Sequence, residues 1–96
     1  MLLTMRAMTD AARAICYENG VMADLGHATG DTAAKAKNDL LTPISKAFST
    51  DIANEVAAIG VQIHGGMGFV EETGAAQFLR DARILTIYEG TNGIQA

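Results

Sequence analysis

The sequence predicts an all-α chain, an antiparallel helix bundle, on three observations. Apolar residues recur at spacings of three and four through two long stretches. No stretch of four or more residues alternates apolar with polar, as a half-buried strand would. The hydrophobic fraction is 49%, yet only 5% of residues are aromatic and none is Trp. Aliphatic, Ala and Met side chains must therefore do most of the packing, and Ala and Met favour helix. Ninety-six residues make one domain at most, spanning 1–96, with enough surface for one modest core.

A first helix is expected from Leu2 to about Leu25. Leu2, Met5, Met8, Ala12, Ile15 and Met22 lie mostly three or four apart, and Arg6, Asp10, Arg13 and Glu18 occupy other positions. Gly20 inside it costs roughly 1 kcal/mol against Ala, and Gly26 or Gly30 can end it. His27 to Asn38 is small and polar. Asp31 or Thr32 can cap a short helix through Ala33, Ala34, Lys35 and Ala36. At Thr42-Pro43 a second long helix is expected to start, because Thr caps well and Pro suits the first helical position. Ile44, Phe48, Ile52, Val56, Ile59 and Ile63 step along one face of it, a stripe that must be buried against other helices. Gly65-Gly66-Met67-Gly68 stops that helix. Thr73 or Gly74 opens a third, about Ala75 to Ile84, with Ala75, Phe78, Leu79 and Ala82 as its apolar side. Thr91 can cap a fourth, Asn92 to Ala96.

Composition excludes several functions. Net charge is -4, and the seven basic residues are scattered, so nucleic acid is not an expected partner. No apolar stretch approaches the ~18 residues of a membrane span, and there is no signal-peptide pattern at the N-terminus. The single Cys16 cannot form an internal disulfide and reads as a small buried hydrophobe in a reducing, cytoplasmic compartment.

Four local features carry chemistry. Gln62 to Phe69, rich in glycine, reads as a helix end and tight turn, or as backbone open to phosphate oxygens. His64 lacks a second metal ligand at helical spacing, so no metal site is expected. Arg80, Asp81 and Arg83 read as surface ion-pairing residues, worth about 0–1 kcal/mol per pair, or as an anion site. Glu89 follows the apolar run Ile84-Leu85-Thr86-Ile87 and precedes Gly90 and Thr91. A carboxylate in apolar surroundings has its pKa raised, which suits a general base near pH 7.

Taken in order, Asp51-Ile52-Ala53-Asn54-Glu55, Gln62-Ile63-His64-Gly65-Gly66-Met67-Gly68-Phe69, Leu79-Arg80-Asp81-Ala82-Arg83-Ile84 and Ile87-Tyr88-Glu89-Gly90-Thr91-Asn92-Gly93-Ile94-Gln95 resemble the C-terminal α-helical domain of acyl-CoA dehydrogenases. The likeness is strong from about Leu41 to Gln95. Leu40-Leu41-Thr42-Pro43-Ile44 and His64 to Ala76 look most like a bacterial branch that includes the 3-methylmercaptopropionyl-CoA dehydrogenase-like enzymes. The resemblance implies an FAD flavoprotein that oxidises an acyl-CoA thioester to its trans-2-enoyl form and passes electrons to a transfer partner. It implies Glu89 as the base for the α-proton, with the Glu89 backbone N–H and a flavin ribityl hydroxyl donating to the enolate oxygen. Tyr88 and Gly90 would line the thioester pocket beside Glu89. Thr91 would approach the FAD of its own subunit, and Gln62, Gly65 and Gly66 the FAD of a neighbour, which implies a homo-oligomer.

Two departures from the family pattern stand out. Gly93 occupies a position where the family often has Gln. Family members also run to several hundred residues, with an N-terminal helical domain and a central β-domain that are absent here. Met1 therefore reads as an internal start and the chain as a piece of a larger enzyme, inactive in isolation. A helical module for self-association, with no catalysis, is the alternative.

Overall fold

The computed structural model describes residues 1–88 and 90–95, the last of these for its backbone alone. Glu89, and Ala96 at the end of the expected fourth helix, lie outside them. The described residues form helices and turns with no strand among them. Helix α1 spans Leu2–Thr29 and α2 spans Thr32–His64. The link is tight. Gly30 sits at φ 71, the left-handed region open to glycine. Asp31 then caps α2, its Oδ1 accepting from the N–H groups of Ala33 at 3.0 Å and Ala34 at 3.3 Å.

The two helices run antiparallel. Met5 lies near Gly60, Cys16 bonds Ser49 at 3.2 Å, and Asn38 Nδ2 donates to Asn19 Oδ1 at 2.7 Å. The expected α1 stripe is the seam from Met5 onward: Met5, Met8, Ala12, Ile15 and Met22 are more protected than most of their neighbours, whereas Leu2, expected in the same stripe, is exposed. Gly26, offered by sequence as a possible helix end, lies inside α1. It is buried because a Cβ there would come within 2.8 Å of Lys35 Cγ on α2.

Three expectations need correction. Pro43 lies inside α2 and starts no new helix. A proline in a helix interior loses one hydrogen bond and costs about 3 kcal/mol, but α2 packs on α1 on both sides of it, through Ala34 and Asn38 before and Ser45 and Ser49 after. Thr42, expected as a cap, instead turns its hydroxyl back to the Asn38 carbonyl at 2.8 Å. Secondly, the α2 stripe is only partly covered. Ile44 and Phe48 are each 41% exposed, because the seam in that half is built from Ala34, Asn38, Leu41, Ser45 and Ser49. Thirdly, Cys16 is exposed, on the rim of the seam facing the Ser49 hydroxyl.

The other side of α2 carries the rest of the chain. Helix α3 is the single turn Gly66–Phe69, which sequence did not foresee. A 3-10 turn at Glu71–Thr73 leads through Gly74, at φ 83, into α4, Ala75–Arg83. A second 3-10 turn covers Ile84–Thr86, and α5 is Asn92–Gln95. Ala75 and Ala82 of α4 are buried as expected, but Phe78 is 74% exposed.

The core is thin. Ala34, Ala75 and Ala82 are its buried hydrophobic residues, and no large side chain is fully buried among those described. The surface is 6334 Å², against about 5,300 Å² for a compact monomer of this mass. The radius of gyration is 16.1 Å, against about 12.5 Å for a compact chain of this length. No helix among the described residues is long and apolar enough to cross a membrane.

Candidate functional site

The segment around the candidate base is fixed on both flanks. Before it, the N–H groups of Ile87 and Tyr88 both bond the Ile84 carbonyl, at 2.9 and 3.2 Å. Tyr88 remains half exposed. After it, Gly90 adopts φ 86, a left-handed conformation that a side chain would strain. Its carbonyl accepts from Lys46 Nζ on α2 at 2.8 Å. Thr91 is exposed, and its carbonyl accepts from Ile94 N at 2.9 Å to start α5. Glu89 itself lies outside the described residues.

Asn92 is the anchor. Its Oδ1 accepts from Lys46 Nζ at 2.8 Å. Its Nδ2 donates to Asp51 Oδ1 at 2.6 Å, Thr50 Oγ1 at 3.0 Å and the Ala47 carbonyl at 3.2 Å. Thr50 Oγ1 in turn donates to the Lys46 carbonyl at 2.6 Å. One turn further along α2, Asn54 Nδ2 donates to the carbonyls of Thr50 and Ala82, each at 2.9 Å, and ties down the end of α4. A single face of α2 thus holds Gly90 and Asn92 after Glu89 and the end of α4 before it.

The glycine-rich loop lies elsewhere. Gln62, His64, Gly65 and Gly66 are all exposed at the C-terminal end of α2. Gln62 is sixteen residues beyond Lys46, so about 24 Å away along the helix axis. Gly65 caps α2 at φ 64, its N–H bonded to the Gln62 carbonyl at 3.1 Å. Gly68 is buried, and a Cβ on it would collide with the Val61 carbonyl. His64 Nδ1 donates to the Gly60 carbonyl at 2.7 Å. No group of three metal-binding side chains occurs among the described residues. Arg80 pairs with Glu71 on the surface, at 3.0 Å. Hydrogen bonding and charge from the Arg80 guanidinium lower the Glu71 pKa, and the same contact raises that of Arg80. The expected surface ion pair is thus formed at Arg80, whereas Arg83 Nη1 donates to Thr86 Oγ1 at 2.6 Å.

The C-terminal domain model of the acyl-CoA dehydrogenases matches residues 1–96. The chain belongs to the acyl-CoA dehydrogenase family. It is 56% identical over 99 residues to the 3-methylmercaptopropionyl-CoA dehydrogenase of Ruegeria pomeroyi, covering 100% of this chain and 17% of that protein. It is 37% identical over 100 residues to a butyryl-CoA dehydrogenase of Syntrophomonas wolfei, covering 100% of this chain and 16% of that one. The CarC subunit of the caffeyl-CoA reductase-Etf complex of Acetobacterium woodii is 33% identical over 95 residues, 99% of this chain and 23% of that subunit. The chain therefore spans about a fifth or less of the length of the first two relatives and slightly more of the third.

The residues that the family resemblance assigns to FAD are all exposed. Beside the α-carbons of Gly65 and Gly66 there is open space where a Cβ would meet nothing within 4 Å, so a ligand can reach their backbone. The Gln62 amide and the Thr91 hydroxyl belong to exposed residues. These groups can touch a cofactor from outside but do not enclose one. The Gln62-Gly65-Gly66 set lies about 24 Å along α2 from Lys46, which holds the Gly90 carbonyl next to Thr91. Sequence reasoning missed Lys46 and Thr50 altogether. It quoted Asn54 and Asn92 within motifs without seeing that they anchor loops to α2. The available signal was a Lys, Thr and Asn at 46, 50 and 54, one per turn on one face of a helix otherwise rich in apolar residues.

Proposed function

We propose that this chain is the C-terminal-domain segment of an FAD-dependent acyl-CoA dehydrogenase, and that Glu89 is the base that takes the substrate α-proton. The observation that carries this reading is the family match over residues 1–96, with the stretch after Glu89 bonded to α2 through Lys46 and Asn92.

An α-proton beside a thioester is weakly acidic, so its removal needs a positioned base and a donor to the developing enolate oxygen. Glu89 takes the proton, and the backbone N–H of Glu89 donates to that oxygen. Tyr88 and Gly90 flank the thioester. FAD, when bound, supplies the acceptor for the β-hydrogen, which leaves as hydride. Thr91 holds the cofactor of the same subunit, and Gln62, Gly65 and Gly66 contact that of a neighbour in a homo-oligomer. An electron-transfer partner reoxidises the flavin, in keeping with the Etf complex named for the Acetobacterium relative. The identity of 56% makes 3-methylmercaptopropionyl-CoA the first substrate to try.

In the intact flavoenzyme carrying this segment, Glu89→Gln should lower kcat by at least about 10²-fold, the low end for loss of a general base. Near-normal turnover would exclude Glu89. The isolated chain should retain no flavin after purification with excess FAD, and stoichiometric retention would contradict that expectation.

A second reading has its own observation. Phe69 is 82% exposed and Phe78 74%, and a groove of 530 Å³ lined by Met5, Val56, Ala57, Ala75 and Phe78 among others stays open. Exposed apolar area of this kind drives association. As a self-association module the isolated chain would form dimers or larger species, and a monomeric mass by light scattering at high concentration would count against it.

A further inference from the structure

Gly90 is the freest backbone position beside the candidate base. It follows Glu89 directly, sits at φ 86, and lacks a side chain to restrict it. Its carbonyl is nevertheless held, at 2.8 Å, by the Lys46 ammonium, whose second acceptor among the described residues is Asn92 Oδ1 at the same distance. Hydrogen bonds from a cation are stronger than neutral ones, and Lys46 is partly buried. Asn92 is fixed in turn by opposite charges at its two ends, Lys46 at the oxygen and Asp51 at the nitrogen. Flipping the amide would set NH₂ against ammonium and oxygen against carboxylate, so one orientation is selected.

A trans peptide points its C=O and N–H in opposite directions. With the Gly90 carbonyl aimed at Lys46 on α2, the Thr91 N–H points away from α2. We propose that Lys46 is a positioning residue for the Glu89 segment: by holding the Gly90 carbonyl and the Asn92 amide it fixes the peptide after the base. This role rests on Glu89 being the base.

The test uses the intact flavoenzyme carrying this segment, with Lys46→Met, Lys46→Arg and Glu89→Gln side by side. A displacement of about 1 Å can cost about 10²-fold in rate, so Lys46→Met should lower kcat by about that factor, with KM for the acyl-CoA and flavin content unchanged. Amide hydrogen exchange at Thr91 to Ile94 should quicken by about tenfold or more, as a local opening would produce, with α1 unaffected. Lys46→Arg, whose fork can reach both acceptors, should restore most of both. Normal kcat and unchanged exchange in Lys46→Met would overturn the proposal. So would faster exchange throughout α1 and α2 without rescue by Arg, which marks a general stability role. If Glu89→Gln keeps its turnover, the assignment of the base fails, and with it the catalytic role of Lys46, whatever the exchange data show. If Glu89→Gln is inactive and Lys46→Met is normal, only the positioning role fails.

Discussion

The two regions proposed to meet FAD are held in opposite ways. The stretch around Gly90 is held by side chains reaching across forty residues or more, from Lys46 to Gly90 and from Asn92 to Ala47, Thr50 and Asp51. The Gly65–Gly68 turn is held mostly by near backbone, through Gly65 N to the Gln62 carbonyl and Gly68 N to the Gly65 carbonyl at 2.9 Å, with Gly68 pressed on Val61 and one side chain, Thr73, donating to the Met67 carbonyl at 2.7 Å. One region is therefore vulnerable to removing a polar side chain, the other to adding a methyl group.

Gly68→Ala should have the largest effect on stability. The new Cβ would meet backbone, and backbone cannot rotate away as a flexible side chain can. Overpacking of that kind costs about 1–3 kcal/mol, visible as a fall in thermal midpoint of about 4 °C or more. An unchanged midpoint would show that α3 is not pressed on α2. Gly20→Ala is the opposing control. Gly20 lies inside α1 with nothing within 4 Å of the added atom, so the change should stabilise by about 0.5–1 kcal/mol.

Asn92→Ala should come next in size. It removes four partners at once, but from a partly exposed site, so a loss of about 1–2 kcal/mol is expected. Its main sign should be faster amide exchange confined to the residues after Glu89. Equal loosening of the Gly65–Gly68 turn would break the contrast between the two regions.

The smallest effect concerns Glu71 and Arg80. The Glu71 pKa is lower folded than its ordinary value of 4.5. The pair therefore contributes above that value, and the contribution is lost as pH falls through the lowered pKa. Arg80→Gln should flatten the acid limb of stability against pH slightly, and an unaltered limb would show the pair to be inert.

Much of this was legible in sequence because it depends on near neighbours. The α1 stripe, the stop at His64-Gly65 and the start of α5 after Thr91 follow from local periodicity and capping. The continuity of α2 through Pro43 was not legible, because what outweighs the proline is the packing of α1 against both halves of α2. Lys46 and Thr50 were hidden for a similar reason. Inside a helix they look like ordinary polar positions, and their partners come forty-odd residues later. The four family segments located the Glu89 region, but nothing local to that segment indicated which side chains hold it in place.

Glu89 as the base is tested most directly by exchange of the substrate α-proton with solvent deuterium in the intact flavoenzyme carrying this segment. Exchange should fall by at least about 10²-fold in Glu89→Gln, with flavin content unchanged. Exchange at the wild-type rate in that variant would contradict the assignment.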